Sequence, residues 1–132
     1  MHFIRSNEKM PAEKIQSIVL TSVGSQSDYS NLKIKEEEYP QYTADEVIVR
    51  VKACGLNFAE LLQRQGVYRP APETPYTPGF EASGIVEKVG QNITNLKVND
   101  RVIVNNASNM WKEVIVSSRA KVFKMPESMT FE

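Results

Sequence analysis

The clearest pattern in the chain is an alternation of apolar and polar residues over positions 46–53. Val47, Val49, Val51 and Ala53 occupy every second position there. Successive side chains of a β-strand point to opposite faces of the sheet. This spacing therefore predicts a half-buried strand.

Six further short runs are rich in β-branched residues, and turn residues separate them. They cover residues 15–21, 32–35, 84–89, 101–104, 114–116 and 122–124. Several short strands divided by turn clusters are typical of a sandwich or a barrel. The pattern therefore predicts a mainly β domain.

One helix is predicted between these strands, over residues 57–66. The apolar residues with the i, i+3, i+4 spacing of one helical face are Phe58, Leu61 and Leu62. Asn57 can accept the free amide protons of the first turn, and Glu60 can reach back to the cap. Gly66 stands where a left-handed residue ends many helices.

A second helix start is predicted in the last seven residues. Ser128 is a candidate cap, and Glu127 and Glu132 are acidic residues of the kind found in a first helical turn. The sequence stops there. We therefore expect a chain truncated before its next domain, either naturally or by design.

Composition narrows the class of protein. A chain of 132 residues suits one domain, and sixteen basic residues balance sixteen acidic ones. Balanced charge gives no electrostatic attraction to nucleic acid. Residues 1–13 are expected to form a flexible leader without a secretory signal, which makes the cytoplasm the expected location.

The single cysteine, Cys54, excludes an internal disulfide and a cysteine-rich zinc site. It follows the alternating strand, so we expect a buried, unreactive side chain. A reactive thiol would need a positive charge nearby.

Five ordered motifs resemble those of the medium-chain dehydrogenase/reductase superfamily. They lie at residues 51–60, 64–68, 77–86, 89–90 and 98–102. Family members carry Ala-x-Gly-Val-Asn, Arg-x-Gly-x-Tyr, Pro-Gly-x-Glu-x-x-Gly-x-Val and Gly-Asp-Arg-Val at similar intervals. Residues 53–59 and 109–113 are most similar to one branch of the zinc-independent quinone oxidoreductases, the synaptic vesicle membrane protein (vesicle amine transport protein) group.

The resemblance implies a fold for residues 14–132. This would be the GroES-like N-terminal catalytic domain, a distorted and partly open β-barrel with one or two short helices. In full-length family members a Rossmann domain follows. We expect this sequence to lack it, since it contains no Gly-x-Gly-x-x-Gly. Asn99 replaces the glycine of the family's Gly-Asp-Arg-Val turn and should adopt the same left-handed conformation.

Zinc is the first chemical question that the resemblance raises. The alcohol dehydrogenase branch binds a catalytic zinc with a cysteine and a histidine, whose positions here hold Asn57 and Phe80. Neither an amide nor a phenyl ring is a ligand that zinc prefers. We therefore expect no metal, and hydride transfer from NADPH to a quinone or enone.

By resemblance, Asn57 and Tyr68 line the cleft near the cofactor, and the Tyr68 phenol donates a hydrogen bond to the developing oxyanion. From the residues alone, Asn57 is equally a helix cap and Tyr68 a packed surface aromatic. Leu62 stands where the family often has a tyrosine, which makes that wall of the cleft apolar. For Glu81 we expect a structural hydrogen-bonding role.

Two hypotheses for function follow. The first is the substrate-binding half of an NADPH-dependent, zinc-independent quinone or enone oxidoreductase that is inactive as an isolated chain. Its partners would be the small-molecule substrate, the missing Rossmann domain and, in the parent, a second copy in a homodimer. The alternative is a non-enzymatic module that associates peripherally with vesicles or membranes.

Overall fold

The computed structural model describes residues 13–24, 29–68 and 73–132. Its strands are β1 (Lys14–Leu20), β2 (Leu32–Glu38), β3 (Glu46–Cys54), β4 (Glu81–Val89), β5 (Arg101–Asn105), β6 (Val114–Ser118) and β7 (Val122–Lys124). One α-helix, α1 (Phe58–Gln65), and one 3-10 helix, Arg119–Lys121, complete the regular elements of this part of the chain. All seven predicted strands are confirmed.

The strands form a curled five-stranded sheet and a smaller two-stranded sheet. The larger sheet has the antiparallel order β6-β3-β4-β5-β7, and β1 pairs only with β2. Short backbone contacts join the sheets, because the amide of Ile18 donates to the Trp111 carbonyl at 2.9 Å. The predicted mainly β, partly open barrel is confirmed.

Strand β3 is more deeply buried than the alternating pattern predicts. Val47 and Val49 face the main core, while Ile48 on the opposite face packs with Ile15 and Val114. Both faces are covered because β1 crosses one side of the sheet. The first half of β3 is therefore central in the fold rather than half-buried.

The leader predicted at 1–13 lies, apart from Glu13, outside the described residues. Glu13 already contacts the barrel, since its carbonyl accepts the Tyr39 amide at 2.9 Å. Its carboxylate also pairs with Arg50 at 2.6 Å. The fold therefore includes Glu13 as well as the strand that begins at Lys14.

Helix α1 forms where it was predicted and ends at Gly66, whose φ of 77° is left-handed. Its polar side faces the barrel. Phe58 is 73% exposed, and the buried side chains of the helix are Glu60, Gln63 and Arg64. The helix packs against polar groups of the neighbouring loops, so its hydrogen-bonding face turns inward.

The last seven residues, where a helix start is predicted, form no helix in the structure. This segment makes a turn in which the Met129 amide donates to the Pro126 carbonyl at 3.1 Å. Arg101 on β5 donates to the carbonyls of Pro126 (3.3 Å), Glu127 (2.9 Å) and Met129. These carbonyls are held by a guanidinium instead of by helical amides.

The turn before β5 has the expected left-handed residue, because Asn99 has a φ of 73°. Its amide donates to the Val86 carbonyl at 2.9 Å, and the Asp100 carbonyl accepts the Val86 amide at 2.9 Å. Asp100 also pairs with Lys124 at 2.9 Å. The turn is therefore fastened to both β4 and β7.

Replacing Asn99 tests the cost of its left-handed backbone. Asn99→Ala should lower the free energy of unfolding by about 1 kcal/mol, because a Cβ without a polar group is disfavoured at positive φ. Asn99→Gly is the control and should be at least as stable as the wild type. Urea unfolding followed by the fluorescence of the single tryptophan measures both. Equal stability of the two variants would contradict the prediction.

Replacing Arg101 tests the hold on the last segment. Arg101→Lys keeps the charge but removes the planar fork that reaches several carbonyls. The Met129 amide should then exchange with solvent about 5-fold faster or more, as expected for the loss of ~1 kcal/mol or more of hydrogen bonding to a charged group. Hydrogen exchange measured by NMR checks this. Arg119→Lys is the matched control and should leave Met129 unchanged.

Candidate functional site

Asn57 stands between the end of β3 and the start of α1. The buried Glu60 carboxylate accepts the backbone amide of Asn57 and also the backbone amide of Phe80, the latter at 3.2 Å. This arrangement is a capping box, so the predicted capping role of Asn57 is confirmed. One carboxylate thereby fixes the start of the helix to the residue that precedes β4.

The side chain of Asn57 is oriented by Glu81, the first residue of β4. Its amide Nδ2 donates to Glu81 Oε1 at 3.1 Å, which confirms a structural hydrogen-bonding role for Glu81. A Cβ on Gly55 would lie 2.1 Å from the same oxygen. Glycine at position 55 therefore leaves room for the carboxylate that orients Asn57.

Trp111 closes the side of the site behind Gly55. Its indole Nε1 donates to the Gly55 carbonyl at 2.9 Å, and its backbone amide donates to the Pro78 carbonyl at 3.1 Å. Gly79 has a φ of 103°, and a Cβ there would lie 2.6 Å from Trp111 Cδ1. The ring is thus fixed against the barrel.

Exposed apolar side chains border both ends of α1. Leu56 is 67% exposed and Phe58 is 73% exposed, so two large hydrophobic residues flank Asn57. At the other end Val67 is 56% exposed and Tyr68 is 36% exposed. Exposed apolar residues clustered around a polar group are typical of a surface that meets a ligand or another domain.

Tyr68 and Asn57 lie at opposite ends of the same helix. The Tyr68 amide donates to the Leu62 carbonyl at 3.3 Å, which ties it to the last turn of α1. An eight-residue helix is roughly 12 Å long. The helix therefore separates the two predicted site residues, and a ligand touching both must lie along it.

The negative charge of Glu60 affects two neighbouring groups. Burial, followed by this charge, raises the pKa of Tyr76 to about 12, and the Tyr76 hydroxyl donates to Gln63 Oε1 at 3.2 Å. Desolvation and the same charge raise the pKa of the Cys54 thiol. Both groups are therefore neutral at pH 7.

Cys54 is exposed, so its predicted burial is wrong. It is the last residue of β3, at the point where the strand leaves the core. Its raised pKa still makes it a weak nucleophile, because the thiolate is the reactive form.

The donor atoms near the site are amide, carboxylate and phenol groups. In the part of the chain that the structure describes, no three His, Cys, Asp or Glu side chains form a group that could hold a metal ion. The only histidine, His2, lies outside the described residues. The positions expected to bind zinc in alcohol dehydrogenases hold the amide of Asn57 and the ring of Phe80.

The chain is similar in sequence to two groups of proteins, the VAT-1 homologues and the quinone oxidoreductases. The chain is 47% identical over 128 residues to the synaptic vesicle membrane protein VAT-1 homolog of Danio rerio, covering 95% of the chain and 26% of that protein. It is 36% identical over 88 residues to the quinone oxidoreductase of Homo sapiens, covering 66% of the chain and 27% of that protein.

Solved structures agree. The human VAT-1 homolog-like protein superposes with a TM-score of 0.83 at 37% identity, covering 90% of this chain and 38% of that one. The Escherichia coli quinone oxidoreductase complexed with NADPH gives 0.74 at 29% identity, covering 88% and 35%.

The chain thus spans between about a quarter and two fifths of the length of these relatives. Residues 43–127, which run from just before β3 to just after β7, match the alcohol dehydrogenase GroES-like domain. The GroES-like fold expected from the motifs is confirmed by the match and by the superpositions. The chain belongs to the alcohol dehydrogenase GroES-like domain family, in its quinone oxidoreductase-like group.

Proposed function

We propose that this chain is the substrate-binding part of an NADPH-dependent, zinc-independent quinone or enone reductase. The observation that carries the proposal is the position of Asn57. Its amide is oriented by Glu81 and bordered by exposed Leu56 and Phe58, so a fixed polar group lies within an apolar rim. A quinone or enone offers the matching surface, a polar carbonyl on an otherwise apolar frame.

The cofactor supplies the hydride when it is bound, and the chain's own residues orient the reactants. Glu81 takes one of the two N–H groups that an asparagine amide carries. The second N–H of Asn57 can donate to the nicotinamide carboxamide or to the substrate carbonyl. The amide and phenol of this site therefore suit a nicotinamide, while the sequence contains no glycine-rich turn for its pyrophosphate.

Tyr68 supplies the second polar contact. Addition of hydride to a conjugated carbonyl places negative charge on the carbonyl oxygen, and a proton then completes the reduction. The phenol of Tyr68 can donate a hydrogen bond to that oxygen. One such donor changes kcat by roughly 100- to 1,000-fold in well-studied enzymes.

The donor set supports a reaction without zinc. Zinc sites use thiolate, imidazole and carboxylate ligands. Asn57 and Phe80 offer none of these, and the Glu60 carboxylate already accepts two backbone amides. The carbonyl must then be polarised by hydrogen bonds, which is the role proposed for Asn57 and Tyr68.

A different class of function has one specific observation in its favour. Phe58 is exposed, and Leu61 and Leu62 on the same side of α1 are half-buried; an apolar helix face that reaches the surface can bind a membrane. None of the helices in the described ranges is long and apolar enough to cross a bilayer. The reductase proposal places the chain in the cytoplasm, and the alternative places it at a vesicle surface.

The 132-residue chain should neither bind NADPH tightly nor oxidise it. Titration of the chain with NADPH, followed by nicotinamide fluorescence, should show no saturation up to about 100 µM, because the sequence lacks the Gly-x-Gly-x-x-Gly turn that binds a pyrophosphate. Addition of a quinone should leave the NADPH absorbance constant. Micromolar affinity or measurable turnover would refute the proposed inactivity of the isolated chain.

Tyr68→Phe tests the phenol in an active context. The chain can replace the matching N-terminal part of the Escherichia coli quinone oxidoreductase, and the chimera should reduce unsubstituted benzoquinone with NADPH. Tyr68→Phe should lower kcat by about 10- to 100-fold with KM within about twofold, since the hydrogen bond strengthens as the oxyanion forms.

The matched control is Tyr42→Phe, which removes a hydroxyl from a tyrosine of similar exposure. It should leave kcat unchanged. Circular dichroism establishes that each chimera is folded. A folded chimera that binds NADPH but does not reduce quinones contradicts the proposed function.

A further inference from the structure

The inward polar side of α1 leaves Phe58 exposed and Leu61 and Leu62 half-buried on the other side of the helix. At about 100° per residue, Phe58, Leu61 and Leu62 share one side of the helix. The three buried polar side chains occupy the opposite side. An apolar helix face normally lies on the core, so this face is available to a partner outside the main core.

A small cavity lies beside this face. Its volume is about 200 Å³, and its apolar walls are Leu32, Leu56, Leu61, Pro78 and Trp111. Whole small-molecule sites usually occupy roughly 300–1,000 Å³. The cavity therefore has room for part of a ligand, such as a short branched hydrocarbon chain.

The two charged side chains that border the cavity already have partners within the chain, and one of these partners, Tyr29, also lines the cavity. The Glu60 carboxylate accepts the backbone amides of Asn57 and Phe80. The guanidinium carbon of Arg64 lies 4.3 Å from the centroid of the Tyr29 ring. The surface left to a ligand is almost wholly apolar, so a neutral hydrocarbon group suits it and an anionic group does not.

The walls of the cavity are preformed. Trp111 is held by its bonds to the carbonyls of Gly55 and Pro78. Leu32 starts β2, and its amide donates to the Tyr29 carbonyl at 3.1 Å. Because these walls are fixed before a ligand arrives, binding costs little conformational entropy.

The cavity adjoins the polar group of the proposed site. Leu56, one of its walls, directly precedes Asn57, and Glu60 borders the cavity while capping the helix at Asn57. We propose that the cavity binds the apolar substituent of a prenylated or alkylated quinone or enone whose carbonyl lies at Asn57. This assignment of the substrate class rests on the proposed reductase function.

A membrane surface is the less favoured occupant. Basic residues normally accompany the apolar face of a helix that binds anionic lipid. The outward side of α1 holds Phe58, Leu61, Leu62 and Gln65, and the only basic residue of the helix, Arg64, is buried. The cavity is also recessed between the helix and Trp111, a shape that a flat bilayer does not fill.

The isolated chain permits a direct test, because its single tryptophan lines the cavity. Titration with geraniol, a neutral prenyl alcohol, should give a saturable blue shift of the Trp111 emission with a Kd of roughly 0.1–1 mM. Leu61→Asn should weaken binding at least about 5-fold by placing an amide in the apolar wall. Leu56→Asn should act in the same direction, and its exposed position makes a folding defect easy to exclude.

Phe123→Asn is the matched control. Phe123 on β7 is 55% exposed and borders none of the cavities described, so this variant should bind geraniol within about twofold of the wild type. Circular dichroism establishes that each variant is folded. The proposal is overturned if geraniol gives no saturable shift, or if both cavity variants bind it as tightly as the wild type.

Vesicle sedimentation tests the membrane surface as the alternative occupant. Phosphatidylserine vesicles should leave the chain in the supernatant on sedimentation. If the chain sediments with the vesicles and does not respond to geraniol, the apolar surface binds lipid and the proposed substrate group is overturned. The geraniol titration needs neither NADPH nor turnover, and the chimera is assayed with unsubstituted benzoquinone, so failure of one proposal is distinguishable from failure of the other.

Discussion

The site depends on the buried carboxylate of Glu60 and on the two backbone amides that donate to it. Glu60 is 3% exposed, and its oxygens accept the backbone amides of Asn57 and Phe80. A buried charge is costly unless hydrogen bonds replace its hydration. Those two amides belong to the start of α1 and the residue before β4, so satisfying one side chain fixes the helix to the sheet. The same requirement turns the polar face of α1 inward and its apolar face outward.

The strands could be predicted from the sequence because each depends on local pattern. β-branched residues and turn residues mark all seven, and the structure extends most of them by only a few residues. The positions of the caps could also be predicted, since Asn57 and Gly66 act within one or two residues of themselves. The curl of the sheet and the second covered face of β3 depend on contacts distant in sequence. The family motifs, and not the periodicity, predicted the partly open barrel to which the curled sheet belongs.

In two places a local pattern is overridden for the same physical reason. The pattern of Phe58, Leu61 and Leu62 predicts a buried apolar face, and Ser128 with its acidic neighbours predicts a helix. In both places a distant polar group prevails: the amide of Phe80 attracts Glu60 inward, and Arg101 holds the carbonyls that a helix would use. Local propensity is a weak preference that tertiary hydrogen bonds can override. The sequence did contain one indication of the inward polar side, because Glu60 lies at the position of a capping box, where its carboxylate can accept backbone amides.

The residues of the candidate site could be predicted from the sequence, but the cavity beside them could not. Asn57 and Tyr68 follow from motif positions, whereas the cavity follows from the orientation of α1, which no local pattern gives. The inward polar face has a consequence for chemistry. It uses the carboxylates of Glu60 and Glu81 for structure, so neither is available as a general acid or base. With the thiol of Cys54 also neutral, the contribution of these residues to the proposed reaction is orientation and an apolar surface.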